Sequence, residues 1–238
     1  MAHRAAAAER LDSSRPSRPP TAEATEPGAL GWVREPQQDR SKRTLTRLLD
    51  AAEEIIRTRG VTALTVPAVA QAAQSSVGSF YGRFRDKEAL LRTLHERACE
   101  QSVLTAQSAL DPARWEGVPT ASLIRAFVSF SVRLFAERRP MMLAFSAELA
   151  SDPGFAERRA RAAAAIAHAL LGVLLPRRNE IGHPNPELAV SMALRMVTSV
   201  LEQRNGLDAG GVAEVVVTDE VLSDELTRAM MRYLELRA

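Results

Sequence analysis

Residues 47–91 read RLLDAAEEIIRTRGVTALTVPAVAQAAQSSVGSFYGRFRDKEALL, in which apolar residues recur every three or four positions. This spacing places the apolar side chains on one face of an α-helix, where they can pack against a core. The pattern predicts a long helix that ends at Gly60, two short helices over about 65–73 and 76–84, and a further helix after Asp86.

The two short helices are separated by a polar run, residues 74–76. Thr65 can cap the first of them, and Pro67 lies in its first turn, where the missing N–H of proline removes no hydrogen bond. A long helix followed by two short helices and a tight turn is the helix-turn-helix arrangement, whose second short helix can enter the major groove of DNA. We therefore predict a sequence-specific DNA-binding domain at residues 39–85.

The same segment resembles the N-terminal domain of TetR-family transcriptional regulators. The residues that carry the resemblance are Asp50-Ala51-Ala52, Gly60, Thr65, Val69-Ala70, Ser76-Val77-Gly78-Ser79-Phe80-Tyr81, Phe84 and Asp86-Lys87-Glu88-Ala89-Leu90. They span about a fifth of the chain. The remaining residues match the family only in being helical and of the usual length.

The resemblance implies roles for individual residues on the DNA-facing side. Thr65 at a helix N-terminus and Lys87 bind backbone phosphates, Tyr81 reaches a phosphate or a base edge, and residues 77–79 face the bases. Basic residues at the start of the first helix can reach phosphates or the minor groove. The predicted DNA contacts are Arg40, Lys42, Arg43, Thr65, Ser75, Ser76, Val77, Gly78, Ser79, Tyr81, Arg83 and Lys87.

The recognition helix has few side chains that discriminate between bases. Val77 can touch a thymine methyl group and Ser79 can bond to several bases, so Arg83 is the best candidate for one selective contact. Two positions depart from the family. Residues 74–75 are Gln-Ser where Gly-Val is usual, which removes one apolar contact and adds polar atoms close to DNA, and Pro67 replaces a base-reading side chain of some members, which argues against direct readout from the first short helix. Phosphate contacts and DNA shape are therefore expected to carry much of the affinity.

Five further helices are predicted beyond the DNA-binding domain, each beginning at or near a proline or a capping residue. They begin near Thr120, at Pro140, near Pro153, at Asn185 or Pro186, and at Thr218 or Ser223. The predicted fold is all-α, with about nine helices. It combines an N-terminal three-helix helix-turn-helix domain with a C-terminal helical ligand-binding and dimerisation domain at residues 86–238.

The last two helices each carry one apolar stripe, as in a helical bundle. The resemblance implies that they pair with their copies in a four-helix homodimer interface, and a purely intramolecular bundle is the alternative. The predicted interface residues are Leu188, Met192, Met196, Val200, Leu222, Leu226, Met230 and Tyr233.

Large or adaptable side chains on the middle helices are candidates for an effector pocket, because methionine and aromatic groups can line a mouldable cavity. The same spacing is also typical of a packed core. The candidates are Phe127, Phe130, Leu134, Met141, Met142, Phe145, His168, Leu171, Met192 and Met196. Among them His168 is a candidate polar contact or a structural histidine. Glu148 could face a cationic ligand, but it is interpreted as a solvated helix carboxylate.

Composition excludes several function classes. The chain of 238 residues has one cysteine and four scattered histidines, so we expect no metal, no cofactor and no enzymatic activity. Arginines interrupt the apolar runs, so neither a membrane span nor a signal peptide is expected, and the protein should be cytoplasmic. The tail over residues 1–38 is rich in Pro, Ser, Ala, Arg and Glu, which is typical of disorder.

These expectations combine into one functional hypothesis. The chain is a dimeric one-component transcriptional regulator, a repressor by family default, that binds a roughly palindromic operator on double-stranded DNA. A small apolar or amphipathic effector releases it. The alternative is a helix-turn-helix regulator with no small-molecule effector, controlled by a protein partner or acting as an activator.

Overall fold

A computed structural model describes residues 37–207 and 217–236 of the chain. Within these residues the secondary structure is helical, and the single isolated β-bridge joins Ile181 to Leu236. The predicted disordered tail falls almost entirely on residues 1–36, which lie outside the described part of the chain.

The α-helices are α1 (Gln37–Arg59), α2 (Val66–Ala72), α3 (Val77–Tyr81), α4 (Lys87–Ala109), α5 (Thr120–Glu148), α6 (Pro153–Leu174), α7 (Pro186–Leu207) and α8 (Asp219–Tyr233). Three 3₁₀ segments connect them, at Val61–Ala63, Pro112–Trp115 and Leu175–Glu180. The all-α fold class is confirmed.

Two predicted boundaries are wrong. A break before Pro140 was expected, but α5 continues through it, so the described ranges contain eight α-helices rather than nine. Proline removes one backbone donor, yet burial of Ala144 and Phe145 in the following turn favours continuation of the helix. The recognition helix α3 ends at Tyr81 instead of Phe84, because the amides of Arg83 and Phe84 both donate to the carbonyl of Phe80 at 2.9 Å.

The described residues divide into two compact units. The N-terminal unit contains residues 37–98 and 140–155, and the C-terminal unit contains residues 99–139, 156–207 and 217–236. The sequence-based domain boundary at residue 85 thus differs from this division, because residues from the start of α4 and the end of α5 pack with the helix-turn-helix.

The core of the N-terminal unit is formed by the apolar faces of α1 to α4 together with residues 144–149. Its buried side chains are Leu48, Leu49, Ala51, Ala52, Ile55, Ile56, Leu64, Val69, Ala73, Phe80, Phe84, Leu90, Leu91, Leu94, Ala144, Phe145 and Leu149. This core packs α2 and α3 against α1, so the side of the helix-turn-helix that faces the protein interior is supported by buried side chains.

The C-terminal unit is built around Trp115, which is fully buried and whose Nε1–H donates to the carbonyl of Ala109 at 2.7 Å. Arg177 ties the same region together by donating to the carbonyls of Trp115 and Val118, each at 2.5 Å. Helices α5, α6, α7 and α8 supply most of the surrounding apolar side chains. Both ends of the connection before α5 are therefore anchored inside the unit.

Candidate nucleic-acid interface

Helices α2 and α3 both begin at a hydroxyl side chain. The Thr65 oxygen accepts a hydrogen bond from the amide of Ala68 at 3.3 Å, and the Ser76 oxygen accepts one from the amide of Ser79 at 3.0 Å. Each bond satisfies one of the free N–H groups at a helix start. The Thr65 hydroxyl hydrogen is not used in its bond, so it can donate to an anion.

The turn between α2 and α3 contains a residue in the left-handed region. Gln74 has a φ of 49°, at the position where the resemblance leads us to expect glycine. Glycine adopts such an angle without steric cost, whereas another residue costs about 1 kcal/mol. The amide of the next residue, Ser75, donates to the carbonyl of Ala70 at 2.8 Å and closes the turn. The turn thus places a non-glycine residue in the left-handed region and is closed by this hydrogen bond.

The outer face of α3 is polar or small, and its inner face is aromatic. Tyr81 is 56% exposed, whereas Phe80 is fully buried, with the two rings in edge contact at 5.5 Å between centroids. Phe84 is also buried, so both phenylalanines belong to the core and neither is available to insert between DNA bases. Residues 76–78 are exposed, which agrees with their predicted position on the DNA-facing surface.

Ser76 and Ser79 are bonded to each other as well as to the backbone. The Ser76 hydroxyl donates to the Ser79 hydroxyl oxygen at 3.0 Å. This bond uses the Ser76 hydrogen, so Ser76 acts as the cap of α3, while Ser79 retains its own hydrogen for a base or phosphate. Of the two serines, Ser79 is the better equipped to donate to DNA.

Arg83, the candidate for a selective base contact, bonds to the protein backbone instead. Its guanidinium donates to the carbonyls of Ser79 at 3.3 Å and Ser41 at 3.2 Å, and to the Ser41 hydroxyl at 3.3 Å. These bonds join the end of the recognition helix to the start of α1. Lys42 and Arg43 follow Ser41 directly and are exposed, so Arg83 fixes the position of two predicted phosphate contacts.

Arg83→Ala is expected to weaken binding to specific and mixed-sequence DNA by a similar factor, about fivefold, because it loosens the start of α1 without removing a base contact. Fluorescence anisotropy with both duplexes measures the two affinities. Arg57→Ala is the control, since Arg57 is exposed and, among the described residues, pairs with Glu54 of its own helix. A loss confined to one base pair would show instead that Arg83 reads a base.

The start of α4 is capped by Asp86. Its carboxylate accepts from the amide of Ala89 at 2.7 Å and from the Arg85 side chain at 2.9 Å. These two bonds hold the pKa of Asp86 below its usual value because they favour the charged form, and the bond from the Ala89 amide has the larger effect. The carboxylate is therefore charged at neutral pH and stabilises the helix start that carries Lys87.

Lys87 lies in the first turn of α4, as predicted, but it has a partner within the chain. Its Nζ lies 2.8 Å from a carboxylate oxygen of Glu148, the last residue of α5. Glu148 is therefore not simply a solvated carboxylate, which corrects the sequence-based interpretation. The lysine expected to bind a phosphate already contacts one negative group.

Arg97 joins α4 to α1 behind the helix-turn-helix. Its two terminal nitrogens each lie 2.6 Å from a carboxylate, one of Asp50 and one of Glu53. The arginine side chain is only 19% exposed, so this paired contact is shielded more than a typical surface ion pair. Asp50 is one of the residues that carry the family resemblance, and here it links α1 to α4 through Arg97.

Residues 48–94 match the family model of the bacterial regulatory proteins of the tetR family. The fold of the chain is similar to the solved structure of a putative TetR-family transcriptional regulator from Mesorhizobium loti, with a TM-score of 0.63 and 16% identity over 82% of this chain and 97% of that one. The helix-turn-helix segment thus matches the tetR family, and the fold of the described residues is that of a TetR-family regulator. The family model covers the helix-turn-helix, and the structural likeness extends to the helices that follow.

Two further solved structures have a fold similar to that of this chain. Salmonella enterica GusR has a TM-score of 0.57 and 21% identity, covering 81% of this chain and 95% of that chain. FadR from Bacillus subtilis, in complex with stearoyl-CoA, has a TM-score of 0.51 and 20% identity, covering 80% and 95%. No curated protein matches the sequence. The family model and the Mesorhizobium loti and Bacillus subtilis structures are of regulators, so these matches are with regulators and not with enzymes.

The predicted interface residues of the regulator differ in exposure. Leu188, Met192, Met196 and Val200 follow one another at intervals of four along α7 and are 38–51% exposed. On α8, Leu226 and Met230 are buried in the core of their own unit, so they are not available to a second copy. Leu222 and Tyr233 are half-buried. The exposed apolar stripe thus lies on α7, with Val221 of α8 also exposed.

The predicted pocket residues belong to both compact units. Met141 and Phe145 pack in the core of the N-terminal unit, while Phe127, Phe130 and Leu171 pack in that of the C-terminal unit. The other members of the set are at least partly accessible: Leu134 and Met142 are half-buried, and His168, Met192 and Met196 are exposed. The effector pocket stays a prediction. His168, its candidate polar contact, lies on the surface and not in the interior.

His95 is a buried histidine within the described residues, and sequence reasoning did not select it. Its ring lies 4.9 Å from that of Phe145 and 4.6 Å from that of Phe155, between centroids. The signal available in the sequence was its position four residues after Leu91, which places both side chains on the same face of a helix. Within the described ranges no group of three or more His, Cys, Asp or Glu side chains could hold a metal ion.

Proposed function

We propose that this regulator is a homodimeric repressor that binds a roughly palindromic operator and is released by a small apolar or amphipathic effector. The observation that carries the proposal is the joint position of Thr65, Ser79 and Tyr81 as hydroxyl donors on a helix-turn-helix held rigid from behind. Hydroxyl and amide donors at helix starts are groups that bind backbone phosphates.

Electrostatics supports DNA as the ligand of this surface. Residues 40–97 have a net charge of +5, whereas the whole chain has a net charge of +2. Each phosphate contact releases counterions and adds affinity that does not depend on sequence. Lys42, Arg43 and Lys87 are the cations proposed for this role. Arg40 is also proposed, although its side chain lies outside the described part of the structure.

The apolar stripe of α7 supports a symmetric dimer. A soluble monomer seldom exposes a continuous line of large apolar side chains, and a two-fold axis lets the same line pack against its own copy. We propose Leu188, Met192, Met196 and Val200 as the centre of this interface. The pairing would present two recognition helices about one DNA turn apart, or somewhat more, which is why the operator is expected to be palindromic.

The effector is proposed to bind in the C-terminal unit. A neighbour in fold, FadR from Bacillus subtilis, has been solved in complex with stearoyl-CoA, an amphipathic ligand. In this chain the Thr227 hydroxyl is buried on α8 and has no hydrogen-bond partner among the described residues. Such a group is costly unless a partner is supplied, and a polar part of an effector can supply one.

Cytoplasmic localisation is part of the same proposal, because a regulator must reach the chromosome. Residues 153–180 are long and apolar enough to cross a membrane by length and composition alone. Leu170, Val173 and Leu174 of this stretch are buried in the core of the C-terminal unit, which supports a role in the soluble fold.

Selection of bound duplexes from a random DNA pool, followed by sequencing, tests the operator proposal. The expected product is a palindrome whose half-sites lie about one helical turn apart or somewhat more. Recovery of no enriched sequence, or of a single asymmetric half-site, would contradict the dimeric repressor.

The effector proposal is tested by measuring whether candidate compounds release the selected duplex from the protein. Fatty acids and their CoA thioesters of graded chain length are added to the complex, and the bound fraction is measured by anisotropy. Weaker DNA binding with a clear chain-length optimum is expected. If every compound leaves the complex intact while a protein fraction disrupts it, the regulator without a small-molecule effector is favoured.

A further inference from the structure

The ammonium group of Lys87, which a DNA phosphate would contact, is already paired with the carboxylate of Glu148. The two charged atoms are 2.8 Å apart, and both side chains are about one-third exposed, at 38% and 31%. An ion pair at this distance is fully formed, yet it remains open enough for an anion to approach the lysine. Any DNA phosphate at Lys87 must therefore displace or share the carboxylate.

Glu148 is held in place by buried neighbours on both sides. Phe145 and Leu149 lie in the core of the N-terminal unit, and Phe155 packs against it. Farther along, the Asp152 carboxylate lies 3.4 Å from the Arg92 side chain on α4. Because the backbone on either side is anchored to α4 or to the core, the carboxylate meets Lys87 at little additional entropic cost.

We propose that Glu148 is an intramolecular competitor of DNA, a carboxylate that takes the place of a backbone phosphate at Lys87 and so lowers the affinity for DNA. The proposal rests on the proposed function, in which Lys87 binds a phosphate. Because the competition acts at a backbone-phosphate contact, it lowers the affinity for all sequences alike. Its effect is reached only through Lys87.

The test is a double-mutant cycle on the full chain with a labelled mixed-sequence duplex, because a phosphate contact does not depend on the operator. Glu148→Gln keeps the shape of the side chain and removes its charge. It is expected to tighten DNA binding about three- to fivefold, the range of an exposed ion pair. Glu148→Ala is a second variant with the same expected direction.

Lys87→Met supplies the other arm of the cycle. Alone it is expected to weaken binding about fivefold, and in its presence Glu148→Gln should change nothing. Glu54→Gln is the matched control, since it removes the same charge from the N-terminal unit but from an exposed pair with Arg57. It should alter the affinity by much less than Glu148→Gln.

The outcomes separate the inference from the proposed function. If the wild type binds no duplex, the proposed function fails. If Lys87→Met weakens binding but Glu148→Gln does not strengthen it, or if the gain persists without Lys87, only the competition fails. If Lys87→Met has no effect, Lys87 holds no phosphate and the competition is overturned, while the other DNA contacts stand.

Discussion

A Met196→Arg substitution is expected to produce a monomer and to lower the affinity for the palindromic operator by a factor of at least about a hundred. Met196 is 40% exposed on α7, so an arginine can be accommodated in the isolated chain. In a two-fold interface the substitution places two like charges in one apolar contact, at a cost of about 3–5 kcal/mol for unpaired buried charge. Loss of the second half-site then removes the avidity of two linked contacts, which is worth about 10²–10⁴.

Analytical ultracentrifugation and operator anisotropy measure the two effects of Met196→Arg. Leu104→Arg is the matched control, because Leu104 is also an apolar residue of the C-terminal unit and is 64% exposed, but lies on α4. We expect that control to remain dimeric and to bind the operator normally. A dimer that survives Met196→Arg would place the interface elsewhere than the α7 stripe.

Phe80→Ala is expected to destabilise the N-terminal unit by about 3–5 kcal/mol, since it deletes a fully buried aromatic side chain and leaves a cavity. That loss is a large fraction of the stability of a small unit, so DNA binding should be lost with the fold. The neighbouring substitution, Tyr81→Phe, removes only a hydroxyl from an exposed ring. It should change the free energy of unfolding by less than about 0.5 kcal/mol, yet weaken DNA binding about three- to tenfold through one hydrogen bond.

Amide hydrogen exchange over residues 65–91 and DNA binding, measured on both variants, distinguish the two roles. For Phe80→Ala, loss of protection should accompany loss of binding, and for Tyr81→Phe, protection should be retained. If Phe80→Ala kept native protection and lost only DNA binding, Phe80 would be a DNA contact rather than a core residue.

The sequence predicted what depends on local chemistry. The polar run before Val77 marked the turn, and Thr65 marked a helix start, because caps and turns are set by residues close together in the chain. It was wrong at Pro140, where burial in the next turn outweighs one lost hydrogen bond. It was also wrong at Phe84, because the helix ends where two amides share the carbonyl of Phe80.

On the candidate DNA-facing surface, too, the sequence predicted the local features but not the contacts between distant residues. The exposed positions of Val77 and Tyr81 follow from helical periodicity, which the sequence contains. The bonds from Arg83 to Ser41 join residues 42 positions apart, and the partner of Lys87 lies in another helix altogether. Periodicity does not specify which distant side chain meets which, so neither contact was foreseen.

The amino-acid sequence by itself determined an all-α chain, the position of its helix-turn-helix and the family that this segment matches. All three depend on spacing and on residue types over one short stretch. Only the tertiary structure decided which charges are left for DNA. Arg83 bonds to the start of α1 and Lys87 pairs with Glu148, because packing brings each beside a group that lies far away in the chain.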